Sequence, residues 1–265
     1  VMEAVIKLNN EHALRGRQEA LAWMGKITRK TVKRAVMTTP YGVTPRGIAT
    51  QLVKDGFCEE LVGRKGINAA YMRDLIVESL KTSIAAASII MEYFQDCAKA
   101  LAAQEIPLKW ITPTGVECTQ AYHKLSKTTV STLMGEFNLW DEDAKMGLDE
   151  RKNHLAASPN VIHSFDAGLL QCVALRLKHD YGVSSTAFIH DSYGVHHGQL
   201  DCGENAVDVL HKVIRGEAHR IFKGNCLMDF RNHIESYAPH VELPMPPEQG
   251  DFNIDELLNS PYFFS

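Results

Sequence analysis

The segment Ala187-Phe188-Ile189-His190-Asp191-Ser192-Tyr193-Gly194 constrains the chain most tightly. Phe188 and Ile189 end one strand, Asp191-Ser192 suits a short turn, and Tyr193 to Val195 begins the return, so the spacing predicts a tight hairpin. Such a turn lifts the Asp191 carboxylate off the sheet, within reach of a hard cation. Magnesium takes one or two protein carboxylates and completes its shell with water and phosphate oxygens. The same residues also suit ordinary turn chemistry, because Asp and Ser favour turns for local reasons. The choice between the two rests on the rest of the chain.

At 265 residues the chain is long enough for one large or two modest domains with a real core. A net charge of −4 provides no global basic field, so any contact with nucleic acid must come from a local patch. Cys58, Cys97, Cys118, Cys172, Cys202 and Cys226 are scattered without a Cys-x-x-Cys pair, which argues against a zinc site or a disulfide framework and fits a reducing compartment. His190, His196 and His197 lack the cysteines or spaced carboxylates that would complete a zinc site. Charges at Glu78, Lys81 and Glu92 interrupt the most apolar region, so no membrane contact is expected. The chain opens inside an apparent helix, and Val1 is not expected to be a natural N-terminus.

The periodicity predicts a mostly helical α+β chain with β-hairpins. Met2 to Trp23 reads as an amphipathic helix with Val5, Leu8, Leu21 and Trp23 in its core, ended by Gly25. Thr44 to Glu60 reads as a helix opened by Pro45, and Ile67 to Gln104 as an Ala-rich scaffold of more than one helix. Trp110 to Gly115 reads as a strand entering a turn, and Thr128 to Met134 as a second strand. Asp141 to Asp143 and Asp149 to Lys152 read as charged loop. Ser158-Pro159-Asn160 reads as the start of a helix whose stripe is Ile162, Phe165, Leu169, Val173 and Leu177, with Gly182 as its stop. The ending Tyr262-Phe263-Phe264-Ser265 is expected to dock rather than fray.

Two further segments carry candidate chemistry. Lys26 to Gly42 holds the densest positive charge, with Thr28 as a helix N-cap. Arg29, Lys33 and Met37 recur every four residues and so share one helical face. A planar guanidinium beside a compact ammonium suits a polyphosphate; a solvated basic face is the alternative. Pro40 should end or bend this helix, placing Tyr41-Gly42 at the break. Downstream, Tyr122, His123, Lys124, Lys127 and Asn138 fall on or near a hairpin that either reads base edges in a DNA groove or serves only structure.

Taken together, Arg29-x-x-x-Lys33-x-x-x-Met37-x-x-x-Tyr41-Gly42 and the distant His190-Asp191-Ser192 resemble the single-subunit DNA-dependent RNA polymerases of bacteriophage and mitochondrial type. Five segments match in order: TRKTVKRAVMTTPYG resembles the fingers helix, WITPTG the entry to the promoter-specificity hairpin, PNVIHSFDAG the return to the palm, AFIHDSYG the metal-binding palm turn, and GDFNIDELLNSPYFFS the aromatic terminus. The resemblance implies a right-hand polymerase fold, with fingers over residues 1–160, including the hairpin at about 110–140, and part of the palm over 161–265.

It also implies roles. Asp191 would hold a catalytic Mg²⁺ pair. Arg29 and Lys33 would grip the incoming triphosphate, and Met37, Tyr41 and Gly42 would line the insertion site. Tyr41, with His163 nearby, would select ribose, and His190 would lie near the RNA 3′ end. His123, Lys124, Lys127 and Asn138 would face promoter DNA. The family's other palm aspartate has no counterpart before Arg29, and Asp166-Ala-Gly-Leu-Leu-Gln171 has only a superficial likeness to its context. The resemblance therefore implies a C-terminal fragment or split subunit that needs a second carboxylate from outside this chain, with template DNA, nascent RNA and NTPs as partners. Tyr193-Gly194 favours the phage type and a bacterial cytoplasm over the mitochondrial matrix. A DNA polymerase sharing the palm tends to carry an aromatic at the Met37 position and His-Asp-Glu at the turn, so Ser192 favours RNA synthesis. A non-catalytic nucleic-acid-binding remnant is the other alternative.

Overall fold

The computed structural model describes residues 1–39 and 42–260, and the chain divides into two compact units, Val1–Glu92 and Tyr93–Ser265.

The first unit is helical: α1 (Met2–Leu14), α2 (Gln18–Trp23), α3 (Arg29–Thr38), α4 (Pro45–Lys54), α5 (Lys65–Ser83) and the start of α6 (Ala85–Ala102). Val5, Trp23, Val32, Ile48, Leu52, Met72, Leu75 and Ile76 form its core. Polar groups are buried with them: Trp23 Nε1 donates to Asn68 O at 3.1 Å and the Tyr71 hydroxyl donates to Asn9 Oδ1 at 3.0 Å, while the Ser79 Oγ is buried without a hydrogen-bond partner among the described residues. The expected single helix from Met2 to Trp23 is two. Gly16, at φ 77, takes the left-handed conformation that glycine adopts freely, and it breaks the helical phase. Leu21 consequently points outward at 51% exposure instead of joining the core. The helix opened by Pro45 stops at Lys54, short of Glu60, with Thr44 Oγ1 accepting from Gly47 N at its start.

Among the described residues the second unit combines helices with three separate two-stranded antiparallel hairpins: β1 (Leu108–Ile111) with β2 (Glu117–Gln120), β3 (Leu125–Thr132) with β4 (Gly135–Glu142), and β5 (Thr186–Ile189) with β6 (Ser192–Val195). Its helices are α7 (Glu150–Tyr181), α8 (Ala206–Phe222) and α9 (Cys226–Tyr237). The predicted start at Ser158 is wrong. Helix α7 begins at Glu150, capped by Asp149, whose carboxylate accepts from Lys152 N at 2.9 Å. Pro159 sits inside it, at a cost of ~3 kcal/mol, offset by burial of Asn153, Ala157, Ser158 and Val161 on either side. Two segments read as loop are ordered for the same kind of reason: β4 runs to Glu142, paired with Leu125, and Asp149 to Lys152 is a helix start. Gly182, at φ 67, ends α7 as expected.

Val173, Leu177, Val183, Val209, Leu210, Val213 and Ile214 form the core between α7 and α8. At its edge Glu217, 3% exposed, receives Arg176 Nη1 at 2.6 Å and Arg220 Nε at 2.9 Å. Burial opposes its charge, but the hydrogen bonds from the two guanidiniums prevail and hold the carboxyl below its ordinary value. Further along α7, Gly168 faces Pro113 so closely that an added Cβ would lie 2.7 Å from the proline Cδ. The turn after β1 thus seats on the helix, helped by a Thr114 Oγ1 to Gln171 Oε1 bond of 3.0 Å.

Two stability outcomes follow from these contacts. Gly168→Ala is expected to cost ~1–3 kcal/mol in urea unfolding, and a second change, Pro113→Ala, to recover part of it. Glu217→Gln is expected to cost about 1–2 kcal/mol at pH 7, reduced by the exposure of both arginines. A depressed folded-state pKa contributes above the unfolded carboxylate value of about 4.3 and fades as pH falls through the folded one. The gap between Glu217→Gln and the parent should therefore close in acid.

Candidate active site

Asp191 stands where the β5–β6 hairpin reverses. The register pairs Ile189 with Ser192 and Phe188 with Tyr193, so the turn is centred on His190-Asp191, one residue earlier than its composition suggests, and Ser192 already belongs to β6. Both turn residues are exposed. His190 has φ 54 where a hairpin normally places glycine. Histidine enters this region more readily than most side chains, but still at a cost of ~1 kcal/mol. Strain held at an exposed turn beside a carboxylate is the pattern expected of a working site.

The alternation of the strands divides the hairpin into two faces. Phe188, Tyr193 and Val195 pack on the α7–α8 core, and the Phe188 and Tyr193 rings lie 5.3 Å apart. Burial, followed by the charges of Asp166 and Asp191, pushes the Tyr193 phenol up to about 12. Both carboxylates therefore act on one tyrosine. By sequence Asp166 has only a superficial likeness to the family's other palm aspartate; its influence on this hairpin emerges only once α7 is folded. The opposite face carries Ala187, Ile189, Ser192 and Gly194, and it is kept low by its small residues. An open cavity of about 450 Å³ lies beside the hairpin, lined by Ser185, Thr186, Ala187, Gly194, Val195, His196 and His197.

Arg29, Lys33 and Met37 share one exposed face of α3 in the first unit. Thr28 N donates to Thr31 Oγ1 at 3.2 Å, closing the predicted cap. Arg34, one position off this face, is bound to Asp55 at 2.5 Å. Among the described residues Arg29 and Lys33 enter no ion pair, so their charge remains available. Gly42, at φ 74, donates to Thr39 O at 2.9 Å, and Val43 donates to Thr38 O at 3.1 Å, the bond pair with which a left-handed glycine closes a helix. Tyr41, Pro40 and the aromatic ending lie outside the described residues.

The β3–β4 hairpin is exposed along nearly its whole length. Its register places Lys127 opposite Trp140, Thr129 opposite Asn138 and Ser131 opposite Glu136 on one face. Thr128, Val130, Phe137 and Leu139 occupy the other. Lys127 and Asn138 thus come together, while His123 and Lys124 stand at the base, where His123 bridges Leu148 and Lys124 N donates to Gly147 O at 3.0 Å. His163 lies exposed on α7. No cluster of three or more potential metal-ligating side chains occurs among the described residues, and no helix there is long and apolar enough to cross a membrane.

His190→Gly is expected to leave the melting temperature unchanged or slightly raised, because it relieves the left-handed strain. A fall of more than about 3 °C on a thermal melt, roughly the effect of 1 kcal/mol in a chain of this size, would show that the histidine contributes structure rather than strain.

The profile of the family described as DNA-dependent RNA polymerase matches residues 1–241. The chain is 31% identical over 245 residues to DNA-directed RNA polymerase 1, mitochondrial, of Nicotiana sylvestris, covering 91% of this chain and 23% of that protein. It is 30% identical to DNA-directed RNA polymerase 2, chloroplastic/mitochondrial, of Arabidopsis thaliana, with the same two coverages. It is also 30% identical to DNA-directed RNA polymerase 3B, chloroplastic, of Nicotiana tabacum, covering 91% of this chain and 24% of the relative. The chain therefore spans about a quarter of the length of these relatives. By this match, which runs through the cationic helix, the exposed ribbon and the aspartate turn alike, the chain belongs to the DNA-dependent RNA polymerase family.

Proposed function

We propose that this chain is the C-terminal catalytic part of a single-subunit polymerase that copies DNA into RNA by nucleotidyl transfer. The observation that carries the reading is the Asp191 carboxylate, exposed on a strained two-residue turn whose other face is anchored in the core. A single exposed carboxylate fits a magnesium site shared with ligands from elsewhere, since Mg²⁺ takes few protein carboxylates. Asp191 would hold the ion pair, with the second palm carboxylate supplied from outside this chain. When bound, the two ions stabilise the attacking and leaving oxygens of an in-line displacement.

The chain's own residues do the positioning. Arg29 and Lys33 bind the triphosphate charge, and Met37, Tyr41 and Gly42 border the insertion site. Tyr41 and His163 favour ribose by offering polar groups that a deoxyribose would leave unpaired. His190 lies near the RNA 3′ end, and the open side of the hairpin, with Ala187 and Gly194, leaves room for a nucleic-acid backbone. The β3–β4 ribbon reads promoter DNA through Lys127 and Asn138, with His123 and Lys124 at its base. Residues 1–160 serve as fingers and 161–265 as part of a right-hand palm. The relatives' names favour an organellar compartment over a bacterial cytoplasm.

In the complete polymerase, Asp191→Asn should reduce NTP incorporation by at least a thousandfold while template binding persists. Lys33→Ala should raise the KM for NTPs more than it lowers kcat. The isolated chain should make no transcript. A preference for dNTPs would favour a DNA polymerase, and an inert parent enzyme that still binds DNA would favour a binding remnant.

A further inference from the structure

The base of the β3–β4 ribbon is held by a buried amide cluster with no part in the chemistry proposed above. Asn153, on the first turn of α7, is 2% exposed, and Gln120, at the end of β2, is 3% exposed. The Asn153 carboxamide pairs with both polar groups of one peptide residue: its Nδ2 donates to Tyr122 O at 2.7 Å, and its Oδ1 accepts from Tyr122 N at 3.2 Å. A side chain here does the work of a strand partner. Its second Nδ2 proton goes to Asp149 O at 2.9 Å, inside the helix cap. Gln120 Nε2 donates to Asn153 O at 2.8 Å, while its Oε1 accepts from Asn160 Nδ2 at 2.8 Å, about two turns further along α7. Asn160 Nδ2 also lies 3.2 Å from the Tyr122 hydroxyl.

Charged contacts surround this cluster at the ribbon's root. Lys152 pairs with Glu142 at the end of β4 and lies 4.6 Å above the Tyr122 ring. Glu105 Oε2 accepts from Leu148 N at 2.5 Å, beside Gly147, where an added Cβ would lie 2.6 Å from the Glu105 carboxylate. The ribbon beyond this root has hardly any other support, because both strands are exposed from Lys127 onward. A two-stranded ribbon alone is marginal in water, so its direction must come from its root. Amides buried without full pairing are costly, and a paired set therefore fixes a single arrangement.

We infer that Asn153, Gln120 and Asn160 are positioning residues for specificity: they set the direction in which the β3–β4 ribbon leaves α7 and hence the register in which Lys127 and Asn138 meet DNA. This rests on the reading of the ribbon as the DNA-reading element. The amide triad itself touches no nucleic acid. It acts through Tyr122, whose carbonyl also accepts from Asp149 N at 2.9 Å and which lies two residues before the Lys124 N to Gly147 O bond.

The test uses the complete polymerase and a promoter selected by the parent enzyme from a randomised duplex library. Two rates are measured for each variant: initiation on that promoter against base-substituted copies, and extension of an RNA primer annealed to a single-stranded template. Asn153→Leu and Gln120→Leu should lower the matched-to-substituted ratio at least tenfold while leaving primed extension within twofold. Asn160→Ala, a milder change that removes one amide, should lower the ratio about threefold. The ratio does not depend on the fraction of enzyme folded, so a purely structural loss leaves it unchanged, and that outcome overturns the inference. Lys127→Ala and Asn138→Ala separate the two readings. If they lower the ratio and the amide variants do not, the positioning role fails alone. If none of them lowers it, the ribbon does not read DNA and both readings fail.

Discussion

Helix α7 buries Val173 and Leu177 against Val209, Val213 and Ile214 of α8, and the β5–β6 hairpin lays Phe188 and Tyr193 over the same cluster. Each fully buried aliphatic side chain contributes on the order of 1.5–3 kcal/mol, so this layer is a stiff base for a hairpin of only four-residue strands. It has to be. A short two-stranded hairpin has no independent stability, yet its turn carries an exposed carboxylate and a histidine in a disfavoured conformation. The apolar face supplies the energy that the turn spends.

The same helix serves the other hairpins. Its N-terminal half takes hold of β2 and the root of the ribbon through Asn153 and Asn160, its middle receives Trp110 through a 2.7 Å bond to Ser164, and Gly168 admits Pro113. These demands explain the irregular composition of α7. A helix designed only for stability would not carry Pro159, a buried asparagine and a buried glycine. Here the proline is tolerated because both flanking turns are pinned, and each of the other two makes room for a neighbouring backbone or ring. Asn153 and Gln120 are buried amides paired with backbone, whereas the buried charge, Glu217, lies at the far end beneath two arginines. This distribution follows from cost: a paired amide is inexpensive to bury, and a charge must have its partners beside it.

The first unit presents a different economy. On α3 the apolar residues Val32 and Ala35 face the core and Arg34 is neutralised by Asp55, while Arg29 and Lys33 point outward and enter no ion pair among the described residues. Cations left without partners raise the local potential and favour an anionic ligand. The distribution is a property of the fold, since without Asp55 beside it Arg34 would be a further unpaired cation on this helix.

Much of this was legible from sequence because it depends on local chemistry. The aspartate hairpin, the Thr28 cap, the left-handed Gly182 stop, the basic face of α3 and the strands beginning near Trp110 and Thr128 each follow from residue types at short spacing. Longer-range features were not. Ser158-Pro159-Asn160 has the local marks of a helix start, and only the burial of Asn153 and Ala157 shows that the helix is already under way. Leu21 has the right period for a core position until Gly16 resets the phase. Asp166 reads as one more residue on a helix, although its charge acts on Tyr193 of the β5–β6 hairpin. The amide triad, drawn from positions 120, 153 and 160, has no motif at all. Local propensity alone determined where the chain turns and which faces are charged; packing between segments distant in sequence decided which side chains meet, because burial and hydrogen-bond satisfaction are settled only when those segments share a core.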